Sequence, residues 1–133
     1  MLERIDRKKF ETLIEINTLI NSNYADATSL LTHIIESATR LTEGEASSLI
    51  LKNPEDGKLY FEIALGPKGR EMKKFSLKPG EGIAGWVAEH SQSLIVNDVE
   101  TDSRFYGEIS RSIGFPTYSI LAVPMLVRDT CVG

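Results

Sequence analysis

The sequence predicts an α+β domain, and a change of period carries that prediction. Apolar residues recur at helical spacing from residue 4 to residue 41, and from residue 46 they give way to the short, alternating pattern of strands. Beyond residue 65, glycine and proline cut the chain into pieces of strand or short-helix length.

Residues 4–21 carry Ile5, Phe10, Leu13, Ile14, Ile16, Leu19 and Ile20 among charges, the spacing of an amphipathic helix. The stripe is broad, so more than one surface is expected to cover it. A second helix is expected where Ala27, Leu30, Leu31, Ile34, Ile35, Ala38 and Leu41 recur at steps of three and four. Asp26 or Thr28 is its expected N-cap, and Gly44 its expected end. "ASSLILK" and "LYFEIAL" then read as strands, joined by the hairpin loop "NPEDGK". In the second strand Leu59, Phe61 and Ile63 alternate with Tyr60, Glu62 and Ala64, as when two faces meet different surroundings.

"GPKGRE" reads as a loop, "MKKFSL" as a third strand, and "KPGEG" as a turn into the short helix "IAGWVAEHS". "LIVNDV" is extended, "ETDSRFYGEISRSIGF" is loop and helix, and "TYSILAVPML" is a strand reaching a turn near "VRDT". The sequence stops at "CVG", a three-residue apolar arm that is expected to leave a strand edge unpaired and to mark a fragment of a longer protein.

Composition narrows the function classes. The 133 residues are expected to form one domain, with 41% hydrophobic and 26% charged residues. Fifteen Lys and Arg stand against 19 Asp and Glu, a net charge of -4 that argues against a nucleic-acid partner. The longest nearly apolar run, "ILAVPMLV", falls far short of the ~20 residues of a membrane helix, and no signal-peptide core precedes it. No membrane contact by this segment and a cytoplasmic location are therefore expected. Cys131 is the single cysteine, so neither an intramolecular disulfide nor a cysteine-rich zinc site can form.

Gly80, Gly82 and Gly85 spell G-x-G-x-x-G, the pattern that cradles a dinucleotide pyrophosphate when it follows a first strand. Here two helices and a hairpin come first, and too little chain follows for repeated parallel strands. The reading preferred is mechanical: Pro79 and Gly80 turn the chain, Gly82 opens the helix, and Gly85 lets that helix sit close to the sheet.

The run Gly80, Glu81, Gly82, Ile83, Ala84, Gly85, Trp86, Val87, followed by Leu94–Val99, then Asp102, Arg104 and Phe105, then Ser119–Pro124 and finally Val132 and Gly133, resembles a GAF domain from about residue 22 onward. The resemblance implies a GAF-like central antiparallel sheet of about six strands. It implies N-terminal helices on one face, and a short-helix and loop cap over a pocket on the other. It also implies that the last strand and C-terminal helix lie beyond Gly133, together with the region that carries the cyclic-nucleotide signature of some members. Residues 1–21 are then an N-terminal helix and candidate dimerisation element, and 22–133 an incomplete core.

No nucleophile elbow, phosphate loop or His-Glu-x-x-His pair is present, so no enzyme activity is expected. The family's sulfoxide-reductase branch depends on several cysteines, and a covalent bilin needs one in the pocket helices; residues 100–118 contain none. No metal site is expected, and neither His33 nor His90 is argued to face a pocket. Any ligand is placed by the resemblance at Asn97, Asp98, Phe105, Tyr106, Ile109, Ser119 and Leu121, a mixture suited to a small polar or aromatic metabolite. The structural alternatives are a loop cap for Asp98, core packing for Phe105 and Trp86, and backbone bonding for Ser119.

Two functions remain open on the sequence. One is a sensory module of a bacterial-type signalling protein, binding an unknown small molecule and relaying the change to an attached effector domain. The other is a ligand-free module that forms a homodimer through the first helix, where Leu13, Ile16 and Ile20 follow coiled-coil-like spacing for about one heptad.

Overall fold

A computed structural model describes residues 6–20 and 27–133, with the side chains of Leu19 and Ile20 excluded. The expectations for Ile5, for the side chains of Leu19 and Ile20 and for an Asp26 cap lie outside the described residues. The described residues divide into two compact units, one built from those up to residue 48 with 65–67 and the other from 49–64 with 68–133.

In the first unit α1 (Arg7–Ile20) packs on α2 (Ala27–Thr42). Asp6 starts α1, its carboxylate accepting the Lys8 backbone N–H at 3.0 Å. Thr12 and Ser37 are buried, and Glu15 reaches Arg40 across the two helices at 3.3 Å. Both ends of that pair are more than half exposed, so it contributes little to stability. The end of α2 departs from expectation. Glu43, not Gly44, takes the left-handed backbone at φ 57°, and Gly44 N–H closes back on the Thr39 carbonyl at 3.1 Å while Glu43 N–H reaches Arg40 at 3.3 Å. Those two bonds are a Schellman cap, with its reversal one residue earlier than the glycine predicts.

The second unit holds most of the strands. β1 (Ser47–Lys52), which belongs to this unit from Leu49 onward, β2 (Leu59–Leu65) and β3 (Ser76–Leu77) form a sheet in that order. Leu59, Phe61 and Ile63 are buried and Tyr60 and Glu62 exposed, the alternation read from the sequence. Leu59, Phe61 and Leu77 form one apolar cluster with Ile109, against which Met72, Phe75, Ala84 and Ala88 pack.

Where a third strand is expected over residues 72–77, only Ser76 and Leu77 are extended. Gly69–Met72 is helical (α3), and Phe75 N–H closes on the Met72 carbonyl at 3.1 Å. Gly69 lies so close to Ala64 that its helical turn is pressed onto the end of β2, which no side chain at 69 would permit. That contact, invisible to a strand reading, decides the local structure.

α4 (Gly82–His90) follows, then β4 (Leu94–Val96), a 3₁₀ turn over Val99–Thr101, α5 (Glu108–Ile113), β5 (Ile120–Ala122), and the hairpin β6 (Leu126–Val127) and β7 (Thr130–Cys131). β4 and β5 pair antiparallel, Leu94 with Ala122, Ile95 with Leu121 and Val96 with Ile120. The hairpin turns on Arg128 and Asp129, both at positive φ, as a two-residue turn matched to strand twist requires. The terminal arm is paired on both sides: Val132 N–H donates to the Met125 carbonyl, while the Val132 carbonyl accepts from Lys52 N–H, both at 2.9 Å. The expectation of an unpaired edge at this arm is therefore corrected. The strands pair as three separate ladders, β1-β2-β3, β4-β5 and β6-β7. No helix among the described residues is long and apolar enough to cross a membrane.

Candidate functional site

The glycine motif is accounted for by backbone geometry. Gly80 and Gly82 sit at φ 75° and 71°, and a Cβ on Gly85 would lie 2.7 Å from the carbonyl carbon of Gly80. Gly85 thus lets α4 fold back onto its own entry turn, where the sequence reading had it approach a sheet. The turn and α4 deliver Ile83 and Val87 to a buried cluster with Val96 and the fully buried Val99, walled by Trp86, Leu94, Phe105, Ile120 and Ala122.

The β4–β5 ladder is two-faced because side chains alternate. Val96 and Ile120 face that cluster, while their neighbours Ile95 and Leu121 stand opposite each other at 74% and 55% exposure. Asn97 and Ser119, one step further along each strand, are also exposed, and Val99 N–H continues the pairing to the Tyr118 carbonyl at 3.0 Å. The ladder therefore brings three of the seven expected site residues, Asn97, Ser119 and Leu121, to one outward face.

The other four lie elsewhere. Asp98 is exposed and caps the 3₁₀ turn, accepting Glu100 N–H at 3.2 Å on its carboxylate and the Thr101 hydroxyl at 3.0 Å on its carbonyl. Phe105 packs on the Val96 and Val99 cluster, and Ile109 is buried among Leu59, Phe61 and Leu77. Tyr106 is partly exposed and donates its hydroxyl to Glu108, which raises the phenol pKa above its ordinary value.

Beside them is an arrangement that the sequence reading noted only as landmarks. Asp102 takes Arg104 in a fork, Oδ1 accepting the backbone N–H and Nε at 2.9 Å and Oδ2 accepting Nη2 at 2.6 Å. These bonds hold the Asp102 carboxyl at about 2, well below the ordinary aspartate value, and raise Arg104. The guanidinium lies 4.8 Å over the Trp86 ring, and His90, one turn along α4, stacks on the same indole at 4.1 Å with its Nδ1 2.9 Å from the Trp86 carbonyl. His90 is exposed, yet both its ring and its Nδ1 are engaged by Trp86. The i, i+4 spacing of Trp86 and His90 was the legible signal for this contact.

Two depressions of the surface lie away from the seven residues. An open one of about 460 Å³ lies over Leu51–Glu55, Tyr60 and Glu62, and a recess of about 100 Å³ is lined by Lys52, Gly57, Leu59, Pro79, Gly80, Gly85, Ala88 and Glu89. Among the described residues no three His, Cys, Asp or Glu side chains gather as a metal ion requires.

The GAF domain family profile matches residues 25–133, most of the chain. The chain belongs to the GAF domain family. Over 96% of its length it is 23% identical to a probable 3',5'-cyclic phosphodiesterase, pde-5, of Caenorhabditis elegans, and over 81% it is 29% identical to a dual 3',5'-cyclic-AMP and -GMP phosphodiesterase 11A of Takifugu rubripes. It spans only 19% and 13% of those proteins. Among solved structures, the GAF domain of a phosphoenolpyruvate-protein phosphotransferase from Coxiella burnetii superposes with TM-score 0.82 at 18% identity, over 93% of this chain and 73% of that one. A free methionine-R-sulfoxide reductase from Neisseria meningitidis matches with TM-score 0.76 at 15% identity, over 99% and 74%. At such identities the structural likeness establishes the α+β GAF fold and not the activity. The chain is thus a domain of a regulatory family whose members sense small molecules.

Proposed function

We propose that the domain binds a small molecule on the outward face of β4–β5 and relays its occupancy to an attached effector domain. The carrying observation is the shared face of Ile95, Asn97, Ser119 and Leu121, where two exposed apolar side chains adjoin two polar ones. Ligand sites combine these ingredients. In this reading Asp98 fixes the turn that ends the face, Phe105 and Ile109 hold the following segment to the core, and Tyr106 ties that segment to Glu108. The effector is supported by the small share of the phosphodiesterases that the chain spans. A bacterial-type signalling protein, a cytoplasmic location and one continuous domain over residues 1–133 complete the proposal, with no enzymatic activity in the domain itself.

Native mass spectrometry of the gently purified chain, followed by calorimetry with cyclic AMP and cyclic GMP, tests it. Stoichiometric binding that is lost in Asn97→Ala and Leu121→Ala supports the reading. Binding that is indifferent to both substitutions refutes this site.

A second reading, a homodimer through α1, rests on one observation: Phe10, Leu13 and Ile14 are 54%, 44% and 51% exposed. Light scattering decides it, since a dimer that dissociates in Leu13→Lys uses this helix and a strict monomer does not.

A further inference from the structure

Five of the chain's 15 Lys and Arg residues, Lys68, Arg70, Lys73, Lys74 and Lys78, fall within eleven residues that contain one of its 19 carboxylates, Glu71. Ten cations against eighteen acids remain for the rest of the chain, so a basic island stands on an acidic domain. Read as a strand, residues 72–77 would send Lys73 and Lys74 to opposite faces. The helical backbone does otherwise. Lys73 N–H bonds the Gly69 carbonyl at 3.2 Å and Lys74 N–H the Glu71 carbonyl at 3.2 Å, so the turn continues past Met72.

That turn has two sides. Gly69, Met72 and Phe75 recur every three residues toward the core, Gly69 against Ala64 and the other two against the Leu59, Phe61 and Leu77 cluster. Arg70, Lys73 and Lys74, at i, i+3 and i+4, are all exposed and share the solvent side. The ion pairs formed by the described residues involve Arg7, Arg40 and Arg104, none of these cations. Like charges at this spacing destabilise a helix. Among the described residues no ion pair offsets that cost.

We infer that the exposed face formed by Arg70 of α3 and by Lys73 and Lys74 just after it is a docking surface for a short acidic polypeptide segment. Three features select this partner. The net negative charge of the rest of the chain, ten cations against eighteen acids, disfavours a long polyanion such as a nucleic-acid duplex or an anionic bilayer. A peptide with three or four carboxylates ends within about one Debye length, ~8 Å, of the cations it meets. The aromatic of the segment, Phe75, packs inward, so neither a base-stacking platform nor an apolar anchor for lipid is offered. The anchored backbone also fixes the points from which the three side chains extend, so only their own rotamers are ordered on binding. This docking is independent of the small-molecule reading and stands if that reading fails.

Fluorescence anisotropy of the whole chain with a labelled tetraglutamate peptide, at low and at 0.3 M salt, tests the surface. The expected result is saturable binding that weakens at least about tenfold at high salt and about tenfold in Lys73→Gln/Lys74→Gln. An Arg70→Glu variant should abolish it while circular dichroism shows an unchanged fold. No binding, or binding unaffected by these substitutions, overturns the inference. Tighter binding of a 20-mer DNA duplex or of phosphatidylserine vesicles, lost in the same variants, also overturns it, in favour of that polyanion.

Discussion

Gly85 meets the backbone of Gly80 so closely that even a methyl group at position 85 would intrude to 2.7 Å of the Gly80 carbonyl carbon. The contact is between a helix and the turn that starts it, and it fixes the direction in which Ile83, Trp86 and Val87 leave α4. Gly85→Ala should therefore destabilise the chain by about 1–3 kcal/mol, the cost of overpacking a filled site. Gly114→Ala is the control: its backbone is left-handed at φ 69° but nothing lies within 4 Å, so only about 1 kcal/mol of backbone strain is expected. Urea midpoints that rank the two variants in the opposite order would show that the close approach is not real.

The Asp102–Arg104 fork makes a pH prediction with a definite sign. The Asp102 carboxyl sits at about 2 in the folded chain against 3.8 in the unfolded one, so the unfolded state binds its proton first as pH falls. The contribution is present in full above about pH 4 and is lost as pH falls from there toward 2. Asp102→Asn should flatten this part of the stability profile, which urea titrations at pH 7, 4 and 2.5 would measure. A profile as steep as that of the parent chain would remove Asp102 from the account.

Trp86 is the only tryptophan, so its emission reports on Arg104 and His90 directly. Arg104→Ala should shift the emission of the folded chain, by removing a cation from the indole face, and should leave the secondary structure unchanged. An unaltered spectrum would place the guanidinium elsewhere.

How far the fold could be read ahead varies with what decides each segment. Both helices, the 53–58 hairpin loop and the alternation of Leu59, Phe61 and Ile63 were legible, because local period and turn chemistry settle them. The segment 68–77 was not, since "MKKFSL" suits a strand until Gly69 is pressed onto Ala64. The end of α2 was misplaced by one residue because glycine marks the commonest cap, while Glu43 accepts the strained one. Of the site, Asp98 as a cap and Phe105 as a core aromatic match the structural alternatives that the sequence allowed. The common face of Asn97, Ser119 and Leu121 depends on the β4–β5 register, which no local pattern encodes.

Glu43 holds φ 57° without the freedom of glycine, although its Schellman bonds to Thr39 and Arg40 are both made. Glu43→Gly keeps those bonds and removes the Cβ conflict. It should raise stability by about 0.5–1 kcal/mol, the left-handed penalty less the added entropy of the unfolded glycine. A lowered thermal midpoint would show that the Glu43 side chain makes a compensating contact.

Ile95 and Leu121 face outward across the ladder while Val99 is fully buried behind it, and this two-sidedness underlies the proposed ligand face. The sides respond oppositely to truncation. Val99→Ala opens space among Ile83, Val87 and Val96 and should cost about 2 kcal/mol. Leu121→Ala removes an exposed side chain and should change stability by no more than about 0.5 kcal/mol. If the two losses prove equal, Leu121 is packed in the folded chain and the face it shares with Asn97 and Ser119 is closed to a ligand. If they separate as expected, any loss of binding in Leu121→Ala can be assigned to the ligand contact, because the fold does not depend on that side chain.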